Sequence, residues 1–488
     1  MGDTPHAGLL GAALILGVDS STQSTKVEAR RLDTGAVVAR GSAPHPPTWP
    51  PVSEQDPRVW WDALVAACTS LPADVRSAVV AISVGGQQHG LVLLDADGEP
   101  VRPAKLWNDT TSAPQADALV AALSASTWAE AVGTVPVPAI TITKLAWVAE
   151  HEPSALTRTA RVMLPHDYLT WRLTGEHVTD RGDASGTGWY DSVSDTVRED
   201  LLDLALTGVA GWSGALPRVL GPSDVAGQLT PGAAAALDLP VGVVVGPGTG
   251  DNMAAALGLG LASGDVAISL GTSGTAFAVS ATPTRDPSGA VAGFASASGE
   301  FLPLVCTLNA TKVTDAVARW LGVDAAGLAE LALATVDDPG EVVVVPYFDG
   351  ERTPNRPDAR GSVVGLTPST GREQLALAAH DGVLCGLLDG ADALAAVGAS
   401  TGGRLFLVGG GARSAAYRQR LADLSGRPVV VPEAEEAVAT GAALQAAVIA
   451  TGESSADIAV RWHLGAGITV DPVTDARARR GDYTAAIT

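Results

Sequence analysis

The segment LILGVDSSTQSTKV at residues 14–27 decides the fold, and VAISLGTSGTAF at residues 266–277 repeats its character in the second half of the chain. Each has an apolar run, a tight turn of Gly, Ser and Thr, and a second run that favours β-structure, which together predict a β-hairpin. Such a turn presents backbone N–H groups and hydroxyls to an anion. Gly/Ser-rich turns follow strands in many α/β enzymes, but the recurrence favours two facing halves that grip one polyphosphate.

Length and composition limit the possible classes of protein. A chain of 488 residues exceeds one ordinary hydrophobic core and predicts two or three domains. Hydrophobic residues make up 46% and charged residues 17%, as in a compact globular protein. The net charge of −22 would repel nucleic acid and anionic membranes. Binding of a phosphate substrate therefore needs local positive charge and hydrogen-bond donors, which Mg²⁺ and backbone N–H groups that point at the phosphate can supply.

The cysteines and the first residues bear on the cellular compartment. Cys68, Cys306 and Cys385 have neither the spacing of metal ligands nor the even number of a disulfide set, which indicates a reducing environment. The apolar stretch at 7–18 is too short to span a bilayer, and no Lys or Arg precedes it as in a signal peptide. We expect a cytoplasmic protein with no membrane partner and no nucleic-acid partner.

The first half reads as a sheet with crossing helices. The pattern from residue 14 to the proline-rich stretch at 44–51 predicts a three-stranded meander. Asp56-Pro57 then opens an amphipathic helix. The β-branched run at 79–84 predicts a buried parallel strand that ends at GGQQHG, residues 85–90. Ligands of open α/β sheets gather at such carboxyl ends.

The second half restarts after a passage at 221–250 that is rich in Pro and Gly, and this passage is our candidate hinge. Further elements are predicted as strands at 342–345 and 405–408, the latter leading into GGGARS, and as a long helix at 372–397. Two sheet-based halves, each opened by a hairpin and separated by a cleft, are typical of the actin-like ATPase architecture. We expect a first domain at 12–247, a second at 248–452 and a tail at 453–488.

Ten segments, spread over nearly the whole chain, carry a resemblance to a known family. They are GVDSSTQSTK (17–26), VSEQDPRVWW (52–61), GGQQHG (85–90), KLWND (105–109), TITKLAWVAEH (141–151), LPHDYLTWRLTGE (164–176), GTGDN (248–252), SLGTSG (269–274), PYFDGERTPN (346–355) and VGGGARS (408–414). Each segment alone is a weak match, but the ten occur together and in register. On these segments the chain resembles the FGGY carbohydrate kinases, and within them the xylulokinases. The resemblance implies an α/β fold of two actin-like (ribonuclease H-like) ATPase domains with the active site in the cleft between them.

The resemblance implies transfer of the ATP γ-phosphate to the terminal hydroxyl of D-xylulose, with Asp251 as the general base. A carboxylate in hydrogen-bond reach can orient the neutral hydroxyl and accept its proton. The structural alternative for Asp251 is a helix N-cap, because Gly-Asp-Asn precedes a helical run. Asp19 corresponds to the family's carboxylate near Mg²⁺, acting through water because Mg²⁺ keeps most of its hydration; its alternative role is turn capping.

The remaining nucleotide contacts implied by the resemblance lie in three glycine- or hydroxyl-rich turns. The β- and γ-phosphates are expected to contact Thr22, Ser24, Gly271, Thr272 and Ser273. Gly410 and Gly411 would let the backbone approach adenosine, with Ser414 as a further partner, although a plain strand-to-helix turn is the alternative. The first turn departs from the commoner Gly-Thr-Ser-Gly by using Ser21-Thr22-Gln23-Ser24, so close backbone approach there stays open.

Sugar contacts are expected from hydrogen-bonding side chains and one stacking face, since a site that bonds every hydroxyl can reject sugars that leave its donors unpaired. The candidate residues are Gln88, His89, Trp107, Asn108, Asp109 and Asn252. A structural histidine and a core tryptophan are the alternatives for His89 and Trp107. His166 stands where family members often carry Lys, and its effect stays open.

Three rival functions remain. The nearest is a sister kinase for glycerol, gluconate or ribulose with the same base. An actin-like sugar-binding regulator or nucleotide-gated assembly protein has no supporting DNA-binding module and would not need Asp251. A Rossmann dehydrogenase rests only on the glycines at 246–250. The expected partners are the sugar and MgATP, which would close the cleft about 221–250; the oligomeric state stays open, with a homodimer as the candidate.

Overall fold

The computed structural model describes residues 13–207, 212–433 and 435–487. The expected extension over the first dozen residues, the start of the predicted first domain at residue 12 and the beginning of the apolar stretch at 7–18 lie outside the described residues. Two large sheets with helices packed on their faces dominate the described chain. The predicted α/β class is therefore confirmed.

The first large sheet contains the N-terminal hairpin. The strands of the first half are β1 (Leu14–Ser20), β2 (Ser24–Arg31), β3 (Val37–Pro44), β4 (Glu54–Gln55), β5 (Val79–Gly86), β6 (Val92–Leu94), β7 (Ala104–Lys105), β8 (Arg161–Met163), β9 (Val178–Asp180), β10 (Tyr190–Asp191), β11 (Thr196–Val197), β12 (Arg218–Leu220), β13 (Gly227–Gln228), β14 (Val244–Val245) and β15 (Thr249–Gly250). The sheet order is β13-β14-β5-β1-β2-β3, and β15 also pairs with β5. Strands β1 and β2 are antiparallel and β5 is parallel to β1, which confirms the predicted hairpin, meander and buried parallel strand.

The second large sheet repeats this plan. The strands of the second half are β16 (Val266–Leu270), β17 (Gly274–Ala278), β18 (Ala292–Ala295), β19 (Phe301–Thr307), β20 (Val343–Val345), β21 (Ser362–Val364), β22 (Leu405–Val408), β23 (Val429–Pro432) and β24 (Gly467–Val470). The order is β18-β19-β17-β16-β22-β23-β24. The hairpin β16–β17 is antiparallel and β22 is parallel to β16, just as β5 is parallel to β1. The second predicted hairpin is confirmed.

Helices cover both sheets. They are α1 (Arg58–Thr69), α2 (Ala73–Ser77), α3 (Ala113–Val132), α4 (Thr141–His151), α5 (Pro153–Arg158), α6 (Pro165–Thr174), α7 (Arg181–Ala184), α8 (Glu199–Ala205), α9 (Pro231–Leu237), α10 (Asp251–Gly258), α11 (Thr311–Leu321), α12 (Ala325–Leu333), α13 (Arg372–Ala396), α14 (Ala415–Ser425), α15 (Ala437–Thr451), α16 (Ser455–Arg461) and α17 (Ala478–Ile487), with 3₁₀ turns at Trp212–Ala215 and Gly410–Arg413. None of the helices within 13–207, 212–433 and 435–487 is long and apolar enough to cross a membrane.

Helices α10 and α15 connect the two halves. They cross in backbone contact: a Cβ on Gly441 would lie 1.8 Å from the carbonyl oxygen of Ala254, and one on Gly258 would lie 1.9 Å from that of Ala437. Helix α15 comes late in the sequence, yet it also packs on β1 and β5 of the first sheet. The crossing therefore requires glycine, because any side chain would push the two helices apart.

Two regions differ from the expectation. The passage at 221–250, our candidate hinge, is folded onto the first sheet: β13, β14 and β15 pair within it, and α9 buries Leu237 in its core. The chain instead passes to the second half through α10. The stretch at 453–488, predicted as a tail, contains β24, which pairs with β23, and α17, whose buried Tyr483 packs into the second core.

Candidate active site

Three parallel strand ends meet at one edge of the first sheet. Strand β1 places Asp19 beside Gly85 of β5, and β15 pairs with the end of β5 through Thr249 and Gly250. Helix α10 begins at Asp251 directly after β15. The sheet thus brings Asp19, the segment after β5 and Asp251 to one carboxyl edge, which is where α/β sheets bind ligands.

The carboxyl groups of Asp19 and Asp251 are both hard to ionise. Burial raises the pKa of Asp19 to about 6, against the hydrogen bond from Ser21 Oγ (2.8 Å) and the positive charge of Lys26. Burial, followed by the negative charge of Asp19, raises the pKa of Asp251 to about 7. A carboxylate that titrates near neutral pH is well matched to accepting a proton there.

Asp251 is held by its neighbour. Its Oδ1 accepts hydrogen bonds from the backbone N–H (2.8 Å) and from Nδ2 (2.9 Å) of Asn252, and Asn252 Nδ2 also donates to Gln88 Oε1 (2.7 Å). The cap of α10 is Gly250, and Asp251 makes no side-chain capping bond. One oxygen of the carboxylate, Oδ1, is therefore fixed by the first turn of α10, Oδ2 is left for a ligand, and Asn252 connects the group to Gln88.

A cavity of about 220 Å³, which we call the inner cavity, opens beside Asp251 between the two halves. Gln88, His89, Trp107, Asp251 and Asn252 line it from the first half. The second half contributes the hairpin residues Ser273, Gly274 and Thr275, the strand residue Cys306, the ring of Phe294 and the guanidinium-bearing Arg352. Five of the residues predicted for the sugar and the base thus share one cavity of monosaccharide size.

His89 enters the inner cavity from an uncommon backbone conformation. Its φ of 64° lies in the left-handed region, and its ring contacts that of Phe294 with centroids 5.2 Å apart. Burial, with the charges of Lys144 and Arg352, lowers its pKa to about 3. Nδ1 has no protein partner among the described residues. His89 is therefore a neutral imidazole that can hydrogen-bond a hydroxyl.

Trp107 separates the inner cavity from a second, outer cavity. The outer cavity is lined by Thr22, Gln23, His45, Pro47, Thr48, Trp49, Trp107 and Asn108. Trp107 Nε1 donates to Thr22 Oγ1 (2.9 Å), and Thr22 Oγ1 donates to Gln87 Oε1 (3.2 Å). The indole is 43% exposed, so it is not a core residue. It connects the candidate sugar site with the turn of the first hairpin.

The last residues of the KLWND segment do not reach the inner cavity. Asn108 faces the outer cavity instead. Asp109 is fully buried, and its carboxylate accepts from the backbone N–H groups of Ser53 (2.9 Å) and Thr111 (3.0 Å) and from Lys105 Nζ (3.2 Å). The structure therefore gives Asp109 a scaffold position, because all its lone pairs point into the protein.

The second hairpin lies between the inner cavity and a larger cavity of about 740 Å³, which we call the nucleotide cavity. Gly271 and Thr272 line the nucleotide cavity, while Ser273 lines the inner one. The tip is tied to the start of α11, since Thr311 N–H donates to Gly271 O (3.0 Å). A phosphate chain bound at this tip would extend from one cavity towards the other.

The turn after β22 forms the opposite wall of the nucleotide cavity. Gly410, Gly411 and Ser414 all line it. A Cβ on Gly410 would meet no atom within 4 Å, whereas one on Gly411 would lie 2.7 Å from Leu270 Cβ. Ser414 caps α14 through a 3.4 Å bond from Tyr417 N–H. Gly410 leaves the surface open to a ligand, and Gly411 lets the turn approach the hairpin.

The first hairpin stands apart from both of these cavities. Thr22 lines the outer cavity, and Ser24 is half-buried at the start of β2, opposite Pro44. Lys26 Nζ forms an ion pair with Glu436 (2.7 Å), which ties the hairpin to the residue preceding α15. In this arrangement the structure does not bring Thr22 and Ser24 to the space where Gly271 and Ser273 lie.

Mg²⁺ would have few protein ligands at this site. Within the described ranges, no group of three or more His, Cys, Asp or Glu side chains is arranged to ligate a metal ion. Asp19 offers one carboxylate beside Asp251, and Mg²⁺ commonly binds through one or two carboxylates, retained waters and substrate phosphates. The donor set therefore fits a metal held mainly by water and phosphate.

Arg352 is the residue that the sequence reasoning missed. It lies in the PYFDGERTPN segment, far from the other candidates in sequence, and lines the inner cavity. The neighbouring Glu351 accepts from the backbone N–H groups of Leu308 and Arg352 and does not pair with its guanidinium. The available signal was the motif that contains it, because a guanidinium within such a segment can bind an anionic or polar ligand.

Comparison with known proteins identifies the family. The N-terminal domain model of the FGGY family of carbohydrate kinases matches residues 14–258, and the C-terminal domain model matches residues 266–450. The chain therefore belongs to the FGGY family of carbohydrate kinases. It is an enzyme of the sugar-kinase class, as the resemblance implied, and that expectation is confirmed.

The similar relatives agree on one kind of kinase. The chain is 50% identical to a xylulose kinase of Streptomyces coelicolor over 94% of this chain and 93% of that protein, and 38% identical to a xylulose kinase of Escherichia coli over 85% of each. The crystal structure of a xylulose kinase from Bifidobacterium adolescentis, at 41% identity, superposes with a TM-score of 0.87 over 98% of this chain and all of that one. The predicted two-domain fold is thereby confirmed.

Proposed function

We propose that this protein transfers the γ-phosphoryl group of ATP to the terminal hydroxyl of D-xylulose and forms D-xylulose 5-phosphate. The xylulose kinases among its relatives support the substrate, since they match nearly the full length of the chain. The observation that carries the chemistry is the position of Asp251 on the wall of the inner cavity, beside Asp19 and in the cavity that Ser273 and Gly274 of the second hairpin also line.

Asp251 is the proposed general base. The Asn252 bonds to Oδ1 hold the carboxylate in one direction, and the described residues donate no hydrogen bond to Oδ2. Oδ2 can therefore accept the proton of the sugar hydroxyl as its oxygen bonds to phosphorus. The raised pKa makes the ionised carboxylate more basic than a surface aspartate, which favours the proton transfer.

The sugar would be recognised in the inner cavity. Gln88 keeps an unpartnered, buried Nε2, and His89 an unpartnered Nδ1, so each has hydrogen-bonding capacity left for a hydroxyl or carbonyl oxygen. Trp107 supplies a partly exposed aromatic face and Arg352 supplies donors. These groups match a polyol with a ketone, and a sugar that leaves them unpaired would bind weakly.

ATP would lie across the second hairpin, with adenosine near Gly410, Gly411 and Ser414 and the phosphates at Gly271, Thr272 and Ser273. Mg²⁺, held through water by Asp19, would neutralise charge on the phosphates. Thr22 and Ser24 lie outside both cavities, so their predicted phosphate contacts require the halves to close further. Closure would also exclude water from the transferring phosphoryl group.

We further propose a cytoplasmic enzyme. Cys68 and Cys385 are buried as free thiols and Cys306 is also unpaired, which suits a reducing compartment. The predicted homodimer stays a prediction.

The test is ADP release in a coupled assay with MgATP and D-xylulose, D-ribulose, L-ribulose, glycerol or gluconate, compared through kcat/KM. D-Xylulose should exceed every other substrate by about a hundredfold or more. A different best substrate would refute the sugar assignment and leave the base in place. No turnover with any of them would refute the kinase proposal.

A further inference from the structure

His166 lies beneath the two segments that carry the candidate catalytic residues. It stands in the first turn of α6, is fully buried and lines none of the cavities described above. The proposed chemistry does not use it. A buried ionisable side chain with no direct contact to substrate raises the question of what its charge does.

Three carboxylates surround the imidazole. His166 Nε2 lies 3.1 Å from Asp167 Oδ1, 3.3 Å from Asp180 Oδ1 and 3.4 Å from Asp183 Oδ2. Burial alone would lower the pKa of His166, but the negative charges of these three residues raise it to about 9. Burial also raises the pKa of Asp167 to about 6 and that of Asp183 well above its usual value. The imidazolium is the positive charge at the centre of this group.

The ring also fills the space between the two catalytic segments. A Cβ on Gly86, at the end of β5, would lie 2.9 Å from His166 Cβ. A Cβ on Gly248, just before β15, would lie 2.6 Å from His166 Nδ1. Gln88 follows Gly86 by two residues and Asp251 follows Gly248 by three. One side chain thus contacts the supports of both the sugar-binding segment and the base.

Asp180, whose Oδ1 lies 3.3 Å from His166 Nε2, is hydrogen-bonded to the strand that precedes Asp251. Asp180 Oδ2 accepts from Thr249 Oγ1 (2.7 Å) and from Gly182 N–H (2.8 Å), while Oδ1 accepts from Asp183 N–H (2.9 Å). Thr249 lies in β15, two residues before Asp251. The carboxylate that pairs with His166 therefore holds the strand from which the base projects.

We propose that His166 is a positioning residue whose buried positive charge, balanced by Asp167, Asp180 and Asp183, holds β15 and the end of β5 at the separation that aligns Asp251 with the sugar hydroxyl. The inference rests on the proposed role of Asp251. The groups that face His166 are Asp167 on its own helix, Asp180 at the end of β9 and Asp183 on α7, and Asp251 acts on the group through Asp183.

A merely structural histidine and a charge-balancing one differ in their effect on ionisation. Without the cation, the buried carboxylates repel one another and repel the ionised form of Asp251. The acid limb of the pH profile of kcat/KM should then move to higher pH, and misplacement of the base should reduce kcat by about a hundredfold. A histidine that only fills space would change stability and leave the pH profile in place.

The test compares four variants of the full chain for kcat and KM, for kcat/KM against pH and for the melting temperature. His166→Gln removes the charge, and His166→Lys keeps a cation. The double variant His166→Gln/Asp167→Asn removes the cation together with one carboxylate. In the wild type Leu164 N–H donates to Asp167 Oδ2 (2.8 Å); the new Asn can accept this bond with its oxygen and donate its N–H to the new Gln. His177→Gln is the matched control, because the His177 ring bonds the carbonyl oxygen of Val162 (3.1 Å) and, within the described ranges, no carboxylate.

We expect His166→Gln to lose activity and shift the acid limb, with partial recovery of both in His166→Lys and in the double variant, while His177→Gln resembles the wild type. A double variant no better than His166→Gln would overturn the proposal, and so would wild-type kinetics in His166→Gln. If His166→Gln does not fold, folding of the double variant or of His166→Lys supports the charge balance, and failure of both overturns it. Failure of the proposed function would appear separately, in the wild type and in Asp251→Asn.

Discussion

Asp251→Asn should inactivate this kinase and at the same time stabilise it. The pKa of Asp251 is raised from 3.8 to about 7, so ionising this carboxyl in the folded chain costs free energy. About three pKa units at roughly 1.4 kcal/mol each give an upper value of about 4 kcal/mol. The carboxyl group is partly open to the cleft, where water and salt reduce the cost, so we expect a gain of about 1–3 kcal/mol.

The geometry permits this gain because Asp251 Oδ1 alone accepts both hydrogen bonds from Asn252. An Asn side chain can keep both on its carbonyl oxygen. The gain should depend on pH in a defined direction. The folded protein holds the proton up to about pH 7 and the unfolded chain only up to about pH 4, so the wild type loses stability as pH rises through this window. The free energy of unfolding of Asp251→Asn should therefore exceed that of the wild type most at pH 8, and the difference at pH 5 should be less than half as large.

Asp109→Asn is the control, because this substitution should lower the free energy of unfolding instead of raising it. Burial would raise the pKa of Asp109, but hydrogen bonds from Thr111 and Ser53 and the charge of Lys105 hold it below its usual range. Both oxygens of Asp109 accept bonds, so an amide N–H would face a donor and cost about 1–3 kcal/mol. The assay is calorimetric unfolding at pH 5 and pH 8 together with ADP release. A less stable Asp251→Asn at pH 8, or one with more than a thousandth of wild-type kcat, would refute the reasoning.

Three further predictions concern the same cleft. The kcat/KM for the sugar should fall on the acid side with a midpoint near pH 7, because Asp251 must be ionised to accept a proton; a profile that is flat down to pH 5 would contradict this. Arg352→Met should lower kcat/KM for the sugar by about ten- to a hundredfold, whereas Arg413→Met, at the nucleotide cavity, should affect ATP alone; equal effects on both substrates would argue against the assignment. Trp107→Phe keeps a ring in the inner cavity but removes the N–H that donates to Thr22 in the first hairpin, so KM for ATP should rise about fivefold with little change in KM for the sugar. A higher KM for the sugar with an unchanged KM for ATP would show that the bond from Trp107 to Thr22 is unimportant.

Local patterns were sufficient to find the elements that carry the site. The hairpins at 14–27 and 266–277 and the strand at 79–84 were predictable, because alternating or continuous β-branched residues and short Gly/Ser turns act over a few neighbours. The passages at 221–250 and 453–488 carry weaker local signals. Their short strands exist only because a neighbouring sheet edge pairs with them.

Candidate residues were found by type and motif, and their positions were less predictable. Asp109 and Asn252 both look like sugar-binding residues in the sequence. Only Asn252 reaches the inner cavity, since Lys105 and two backbone amides turn Asp109 inwards. Arg352 reaches the cavity from a distant segment because Glu351 fastens its loop to the residues after β19.

The sequence by itself determined the two-hairpin α/β plan and the family, and it predicted Asp19 and Asp251 as the carboxylates of the site, since these depend on short-range patterns and on motifs in register. Only the tertiary structure decided which side chains share a cavity and which ionise readily. The pKa of Asp251, the neutral state of His89 and the cationic state of His166 all depend on burial and on charges far away in sequence. Those interactions act through space, and folding alone sets their distances.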